Sequence, residues 1–297
     1  MGRGLSIPRE EHRRSRAAER ISPMQWLDAL CAGGVPALPA TPVLVVVAHP
    51  DDETVGAGSR LPRLRHATFI YVTDGAPLDG RDAAHHRLTV DAYRELRLRE
   101  RAAALSRCGI AESQIIDIGC PDQQAARRLP QLAIEIARWL KRRRPDVLLT
   151  HPYEGGHPDH DATAFAVHAA AALLRRQGEP VPAVVEMTSY HRGPSGLQTC
   201  VFLPDAVADR EQAAVVLDPQ QRAFKRSLLD CYATQRDTLD QFALDVERFR
   251  PAPAYDFRAE PHPGPLFYEQ HAWGLSGAQF RELAAQAMTQ LGLEGEL

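Results

Sequence analysis

The stretch Val43-Leu44-Val45-Val46-Val47-Ala48-His49-Pro50-Asp51-Asp52-Glu53 decides how the rest of the chain is read. Its first six residues are apolar and mostly β-branched, with no polar residue alternating between them. A strand wetted on one face alternates in polarity. A strand buried on both faces does not, and parallel sheets covered by helices hold strands of this second kind. The expectation is a β-strand over 43–48 inside a parallel sheet, ending abruptly in a charged loop.

Working outward, apolar runs at 67–72, 115–119 and 147–150 read as further strands. The segments between them carry helical patterns: 84–107 closed by Gly109, 129–143 stopped by Pro145, and the alanine-rich 162–176. Strand and helix alternate from 43 to 176. That order predicts an α/β fold: a Rossmann-like, doubly wound, mostly parallel sheet with helices on both faces. Beyond Gly178 the pattern loosens. Segments 184–190 and 199–203 read as strands, 220–244 and 277–291 as helices, and the proline-rich 250–268 as an ordered loop lying on the body. Residues 1–40 read as an N-terminal extension, partly disordered, with a short helix over 16–31. Residues 41–297 read as a single α/β domain, elaborated from about 192 onward.

Two motifs carry chemistry. His49-Pro50-Asp51-Asp52-Glu53 follows the strand over 43–48, and His157-Pro158-Asp159-His160-Asp161 follows the strand over 147–150. Ligand sites of open α/β sheets form outside the carboxyl ends of the strands, so two parallel strands deliver both motifs to one edge. A catalytic zinc takes three N or O ligands from the protein and keeps one position open for water. His49 and Asp52 are three apart, and Asp52 falls where the chain turns into a helix, so both can face one point. His160, beginning the next helix, completes a His/Asp/His set for one Zn2+ per chain. His157 is then free for another task. Asp51 points away from the ion, unliganded and close to its water. His151, ending its strand, reads equally as support for the site or as plain structure.

These residues resemble the LmbE-like, or PIG-L, zinc-dependent de-N-acetylase family, whose members carry A-H-P-D-D-E and a later H-P-D-H. Ala48 to Glu53 matches the first, and His157-Pro158-Asp159-His160 the second. Val72-Thr73-Asp74-Gly75, Arg97-x-x-Glu100 followed by Gly109, and Arg144-Pro145-Asp146-Val147 fit as well. The resemblance covers roughly 43–190. It implies zinc on His49, Asp52 and His160, Asp51 as general base, and His157 as stabiliser of the tetrahedral intermediate, oriented by Asp159. The implied reaction is hydrolysis of an N-acetyl amide on an amino sugar, a GlcNAc-like unit of a glycan, glycolipid or glycoside.

In one position the chain departs from the pattern. Some sugar deacetylases of the family carry a tyrosine two residues before the histidine at His157; here it is Gly155, with Tyr153 or His262 as stand-ins. By resemblance Arg97 contacts sugar or phosphate; its other reading is a surface helix residue paired with Glu100 or Glu95. Asp74 bonds a sugar hydroxyl or forms a turn before Gly75.

Two other functions compete. A metal-dependent phosphoesterase also uses His and Asp ligands, but wants two metals and more carboxylates, with only Glu53 and Asp161 to supply them. A non-catalytic carbohydrate-binding protein would be expected to lack Asp51 or His157, and both are present. No GxSxG or Walker pattern occurs, and Gly56-Ala57-Gly58 lacks the third glycine of a dinucleotide fingerprint.

Composition narrows the partners. The 297 residues carry a net charge of -3, which argues against nucleic acid. No apolar run approaches the roughly 18 residues of a membrane span, so no integral membrane segment is expected. Five scattered cysteines fit reduced thiols and a cytoplasmic location. The arginines between Arg3 and Arg20 have no apolar run after them and read as a solvated leader. Oligomeric state leaves no signature in the sequence.

Overall fold

The structure is a computed structural model that describes residues 21–32, 38, 41–271 and 273–297. The stretch quoted first forms β1 (Val43–Val47), which pairs in parallel with β2 (Thr68–Pro77) on one side and β4 (Val147–Thr150) on the other. β3 (Ile115–Asp122) adds in parallel to β2, and β5 (Ala183–Met187) adds in parallel to β4. β6 (Tyr190–Gly193) and β7 (Gly196–Thr199) form a separate hairpin. β8 (Ala213–Val216) and β9 (Val246–Pro251) close the far edge antiparallel, giving one sheet ordered β3-β2-β1-β4-β5-β9-β8.

Alternate residues of the same strand enter opposite cores, which is why these strands show no polar alternation. Leu44, Val46, Ile70, Val72 and Leu148 face one layer, packed under α5 (Leu129–Arg143), α6 (Pro158–Arg176) and α9 (Gly277–Leu291). Val43, Val45, Val47, Phe69, Tyr71, Val147 and Leu149 face the other, under α1 (Pro23–Cys31), α4 (Val90–Arg107) and α7 (Pro219–Leu229). Each such fully buried side chain contributes about 1.5–3 kcal/mol. The doubly wound expectation holds. The order of the strands reverses between β1 and β4, and such a reversal opens a crevice at the carboxyl ends of the two strands.

Several boundaries differ from expectation. The helix expected over 84–107 is two: α3 (Arg81–His85) and α4, separated by Arg87 at φ 58 and by Thr89, whose hydroxyl caps α4. The helix expected over 220–244 ends at Leu229 and resumes only as α8 (Arg236–Leu239), because Tyr232 and Thr234 turn inward to bind Glu53 and Glu100. The strand expected over 184–190 breaks after Met187, and the one over 199–203 is shifted to β7. β8 and β9 were not expected. α1 lies within the stretch read as an extension, yet Trp26, Leu27 and Leu30 are fully buried in the second core. The expectations for 1–20 lie outside the described residues.

Candidate metal centre and active site

Each motif is shaped by a helix start. After β1 the chain turns at Asp51, the N-cap of α2 (Asp52–Ala57), with φ 139 and ψ -24. A non-glycine residue in such a conformation costs about 1–3 kcal/mol and persists only where its surroundings hold it. Arg97 does so, donating from Nη2 to the Pro50 carbonyl at 2.7 Å and to Asp51 Oδ2 at 2.8 Å. After β4, His157 is the N-cap of α6 and its Nδ1 accepts the Asp159 backbone N–H at 3.1 Å. Pro158 follows with the fixed φ that suits a first helical position. Asp161 Oδ1 accepts the N–H groups of Glu154 and Gly155 at 3.2 and 3.1 Å, pinning the loop between β4 and α6.

The crevice brings the expected donors together. His49 Nδ1 lies 3.2 Å from His160 Nε2. Asp52 Oδ1 lies 3.1 Å from that same His160 nitrogen, and Asp52 Oδ2 lies 3.3 Å from His49 Nδ1. Zinc bonds of about 2.0–2.2 Å in a tetrahedron imply donor separations of about 3.3–3.5 Å, close to this triangle. The charge balance agrees: Asp51, Asp52, Asp122 and Asp159 are crowded together at or near burial, and Arg97 reaches only Asp51. Buried carboxylates in such number call for a cation. The residues present therefore fit a metal ion.

The surroundings sort the imidazoles by role. His151 Nε2 accepts the Ala48 N–H at 3.0 Å, so its lone pair is engaged, and its ring stacks on His160 with centroids 4.2 Å apart. Burial, then the neighbouring His160, pushes His151 down to about 4, which keeps it neutral. Its Nδ1 is left without a hydrogen-bond partner, and His151 forms a candidate donor group with Asp52 and His160. His49 Nε2 faces Asp122 Oδ1 at 3.1 Å and Asp159 Oδ2 at 3.4 Å. Burial alone would lower His49, but Asp122 and Asp52 outweigh it and hold it well above the ordinary range. Carboxylates that hold a proton on His49 would equally attract a metal. Burial, then His49, holds His157 well below its usual value. With Nδ1 occupied by the Asp159 N–H, neutral His157 carries its proton on Nε2. Burial also pushes Asp51 up to about 7 against the pull of Arg97.

Other expected site residues are placed differently. The Asp159 carboxylate does not bond His157; it accepts the N–H groups of Gln123 and Ala125 at 2.6 and 3.0 Å and faces His49. Only its backbone orients His157. Arg97 is not a surface residue, because it is buried on Asp51, but the expected pairing with Glu100 is present at 3.6 Å. Asp74 accepts from the Ala76 N–H and from Arg94, so its carboxylate is held within the protein. The Tyr153 hydroxyl donates to the Ala259 carbonyl at 3.0 Å, and its ring packs on Phe257 and Phe280 in the core. His262 lies beside His191, ring centroids 6.4 Å apart, and belongs to no donor group among the described residues. Asp122, at the end of β3, was missed; an isolated aspartate gives no motif, although a strand end beside β2 was a place to look.

A profile of the family described as PIG-L, GlcNAc-PI de-N-acetylase, matches residues 44–171, which contain both motifs. A Saccharopolyspora erythraea enzyme is 30% identical over 240 residues, covering 69% of this chain and 88% of that enzyme. It is named 1D-myo-inositol 2-acetamido-2-deoxy-alpha-D-glucopyranoside deacetylase 2. The chain belongs to the PIG-L (LmbE-like) de-N-acetylase family. A Streptomyces griseus deacetylase named for the same glycoside is also 30% identical, over 52% of this chain and 56% of that enzyme. The match thus spans little more than half of that relative's length. A solved deacetylase of the teicoplanin biosynthesis pathway shares the fold, with TM-score 0.53 and 19% identity over 73% of this chain and 99% of its own.

The PIG-L match ends at residue 171, and what covers His157 comes from beyond it. At Gly155 (φ +72) a Cβ would come within 2.7 Å of the Leu266 side chain, and at Gly156 within 1.9 Å of the Tyr190 carbonyl oxygen. No larger residue fits this loop as it is packed. The aromatic neighbour of His157 is instead Trp273, with ring centroids 4.5 Å apart, and Trp273 in turn stacks on His271. No helix among the described residues is long and apolar enough to cross a membrane.

Proposed function

We propose that this chain hydrolyses the N-acetyl amide of an amino sugar, releasing acetate and a free amine, with one zinc ion held by His49, Asp52 and His160. When bound, zinc would polarise the acetyl carbonyl and make water a stronger nucleophile at neutral pH. Asp51, beside those ligands but turned onto Arg97, takes the proton of the attacking water. A carboxylate pushed up by burial is a better base near neutral pH than an exposed one. Arg97 fixes the direction of that carboxylate. His157 donates from Nε2 to the oxygen on which charge develops, a contact typically worth about 10² to 10³ in turnover. Asp51 then returns its proton to the departing nitrogen. Asp122 and Asp159 hold the His49 ring, as carboxylates commonly do for ligating imidazoles.

The observation that carries this reading is the triangle of His49, Asp52 and His160 atoms with an unliganded, buried Asp51 next to it. A two-metal phosphoesterase would need a second donor set. Among the described residues the group His49, Asp122, His157 and Asp159 and the group Asp52, His151 and His160 share no member but crowd into one crevice. The choice against a two-metal phosphoesterase therefore rests on the relatives. The relatives named for an N-acetylated glycoside support the choice of an amino sugar. The test is acetate release from N-acetylated sugars by zinc-loaded protein. Phosphate release from phosphate esters, without acetate, would overturn the reading.

A further inference from the structure

Tyr232 lies in the turn between α7 and α8, beyond the residues 44–171 that match the family, yet it is fully buried beside the first motif. Its hydroxyl donates to Glu53 Oε1 at 2.7 Å, and the Thr54 hydroxyl donates to that same oxygen at 2.8 Å. The other carboxylate oxygen, Glu53 Oε2, accepts the Asp51 backbone N–H at 3.3 Å. Two hydroxyls thus fix the carboxylate that grips Asp51 by its backbone. At φ 139 that backbone needs holding, because such a conformation persists only where neighbours enforce it.

The ring of Tyr232 acts on the other side of Asp51. Its centroid lies 6.0 Å from the Arg97 guanidinium carbon, at the limit of a cation–π contact. The hydrogen bonds of Arg97 run from Nη2, to Pro50 and Asp51, while Nε and Nη1 are buried and make none. What packs around this guanidinium therefore decides where it points. Besides Tyr232, Gly75 leaves room for it, since a Cβ there would come within 3.0 Å of Nε. Glu100 Oε2 lies 3.6 Å from Nη1, and Thr234 gives Glu100 its N–H at 2.9 Å and its hydroxyl at 2.5 Å. The turn 232–234 thus touches Glu53, Arg97 and Glu100, the first two of which hold Asp51 directly.

A role in packing alone does not account for this. Tyr232 shares a core cluster with Val55, Leu229, Leu239 and Phe242, and a phenylalanine would fill that place as well. The hydroxyl, aimed at a carboxylate of the first motif, is the part that packing leaves unexplained.

We infer that Tyr232 is a positioning residue for the proposed base, setting the Asp51 backbone through Glu53 and the Asp51 carboxylate through Arg97. This role presumes the deacetylase reading of the Asp51 centre. It is tested on the zinc-loaded full chain with N-acetylglucosamine and N,N′-diacetylchitobiose as probes, well below the melting temperature of every variant.

Tyr232→Phe keeps the ring and loses the hydroxyl. It should lower kcat roughly tenfold, as expected for one lost hydrogen bond to a charged group, with KM and zinc content unchanged. Tyr232→Leu, which also loses the ring, should fall by about 10²-fold, the scale of a catalytic group misplaced by roughly 1 Å. Leu239→Ala, in the same cluster but away from Glu53 and Arg97, should lose melting temperature and keep kcat. In a Glu53→Ala background, Tyr232→Phe should cost nothing more, because the two residues act through one contact. Should Glu53→Ala not fold, the comparison with Leu239→Ala decides alone.

Wild-type kcat in Tyr232→Phe, a loss confined to KM, an equal loss in Leu239→Ala, or full additivity with Glu53→Ala would overturn the inference. So would a Tyr232→Phe chain that does not fold. If wild type releases no acetate from either probe, the deacetylase reading fails. Crystal structures of the zinc-loaded wild type and Tyr232→Phe then decide the positioning role: a displaced Asp51 carboxylate keeps it, and an unmoved one ends it.

Discussion

The Arg97 guanidinium and the Asp51 carboxylate meet at 2.8 Å, with side-chain exposures of only 2% and 10%. The same guanidinium holds the Pro50 carbonyl, so one side chain restrains both the unusual backbone at Asp51 and the direction of its carboxylate. In the sequence Arg97 reads either as a sugar or phosphate contact or as a surface helix residue paired with Glu100 or Glu95. The fold makes it a positioning residue for the proposed base.

Arg97→Lys should therefore lower kcat/KM by about 10²-fold, the scale of a catalytic group misplaced by roughly 1 Å. It should also move the acidic limb of the pH profile to higher pH. Asp51 acts in its ionised form, burial raises it to about 7, and Arg97 pulls it down. A more distant or absent positive charge raises it further, so the active form appears later on the pH scale. Wild type and variant are compared at the same zinc loading, because a bound cation also lowers Asp51. An unshifted limb would show that Arg97 does not act through Asp51.

Metal and base should separate by mutation. His160→Ala removes one corner of the donor triangle, and elemental analysis should find little zinc after dialysis. Asp51→Asn leaves the triangle intact, so it should keep about one zinc per chain while losing roughly 10² to 10⁴ in turnover. Added zinc should raise the Tm of wild type and Asp51→Asn by mass action, and of His160→Ala far less. Full zinc in His160→Ala would refute the proposed ligand set.

Trp273 lies outside residues 44–171 that match the family and packs against His157 with its ring tilted by 46° and centroids 4.5 Å apart. Trp273→Ala should open His157 to water and weaken its hydrogen bond to the developing oxyanion, lowering kcat by about tenfold or more with zinc content unchanged. Trp273→Phe, which keeps an aromatic face, should recover most of the loss. Equal kcat in all three proteins would remove Trp273 from the site.

Legibility in the sequence followed burial of apolar side chains. β1 and β4 were readable because Val43 to Val47 and Val147 to Leu149 are buried on both faces. Once both strands were placed in one parallel sheet, the meeting of His49, Asp52 and His160 followed. β9 was not readable because its buried positions include Glu247 and Arg250, which pair with Lys225 and Glu186 at 3.0 and 3.1 Å. Paired charges look like a solvated loop in a one-dimensional pattern. Tyr153 shows the same limit for direction: position near a motif does not say which face a ring takes, and the core claimed it. Trp273 reaches His157 only through tertiary packing, which no local spacing encodes.

Asp161 gives a pH test of stability that is independent of turnover. Its Oδ1 holds two backbone N–H groups, while Oδ2 is buried without a hydrogen-bond partner. Burial raises this carboxyl from 3.8 to about 8, the two N–H groups opposing and Glu154 adding to the rise. The folded chain thus keeps a proton that the unfolded chain releases between those values. The stabilisation from that proton is full below pH 3.8 and is lost as pH rises to about 8. The slope is at most about 1.4 kcal/mol per pH unit. Asp161→Asn keeps the acceptor oxygen and cannot ionise, so its Tm relative to wild type should climb steadily from pH 5 to pH 8 and then level off. A Tm difference that stays flat across this range would mean that Asp161 is already ionised in the folded chain.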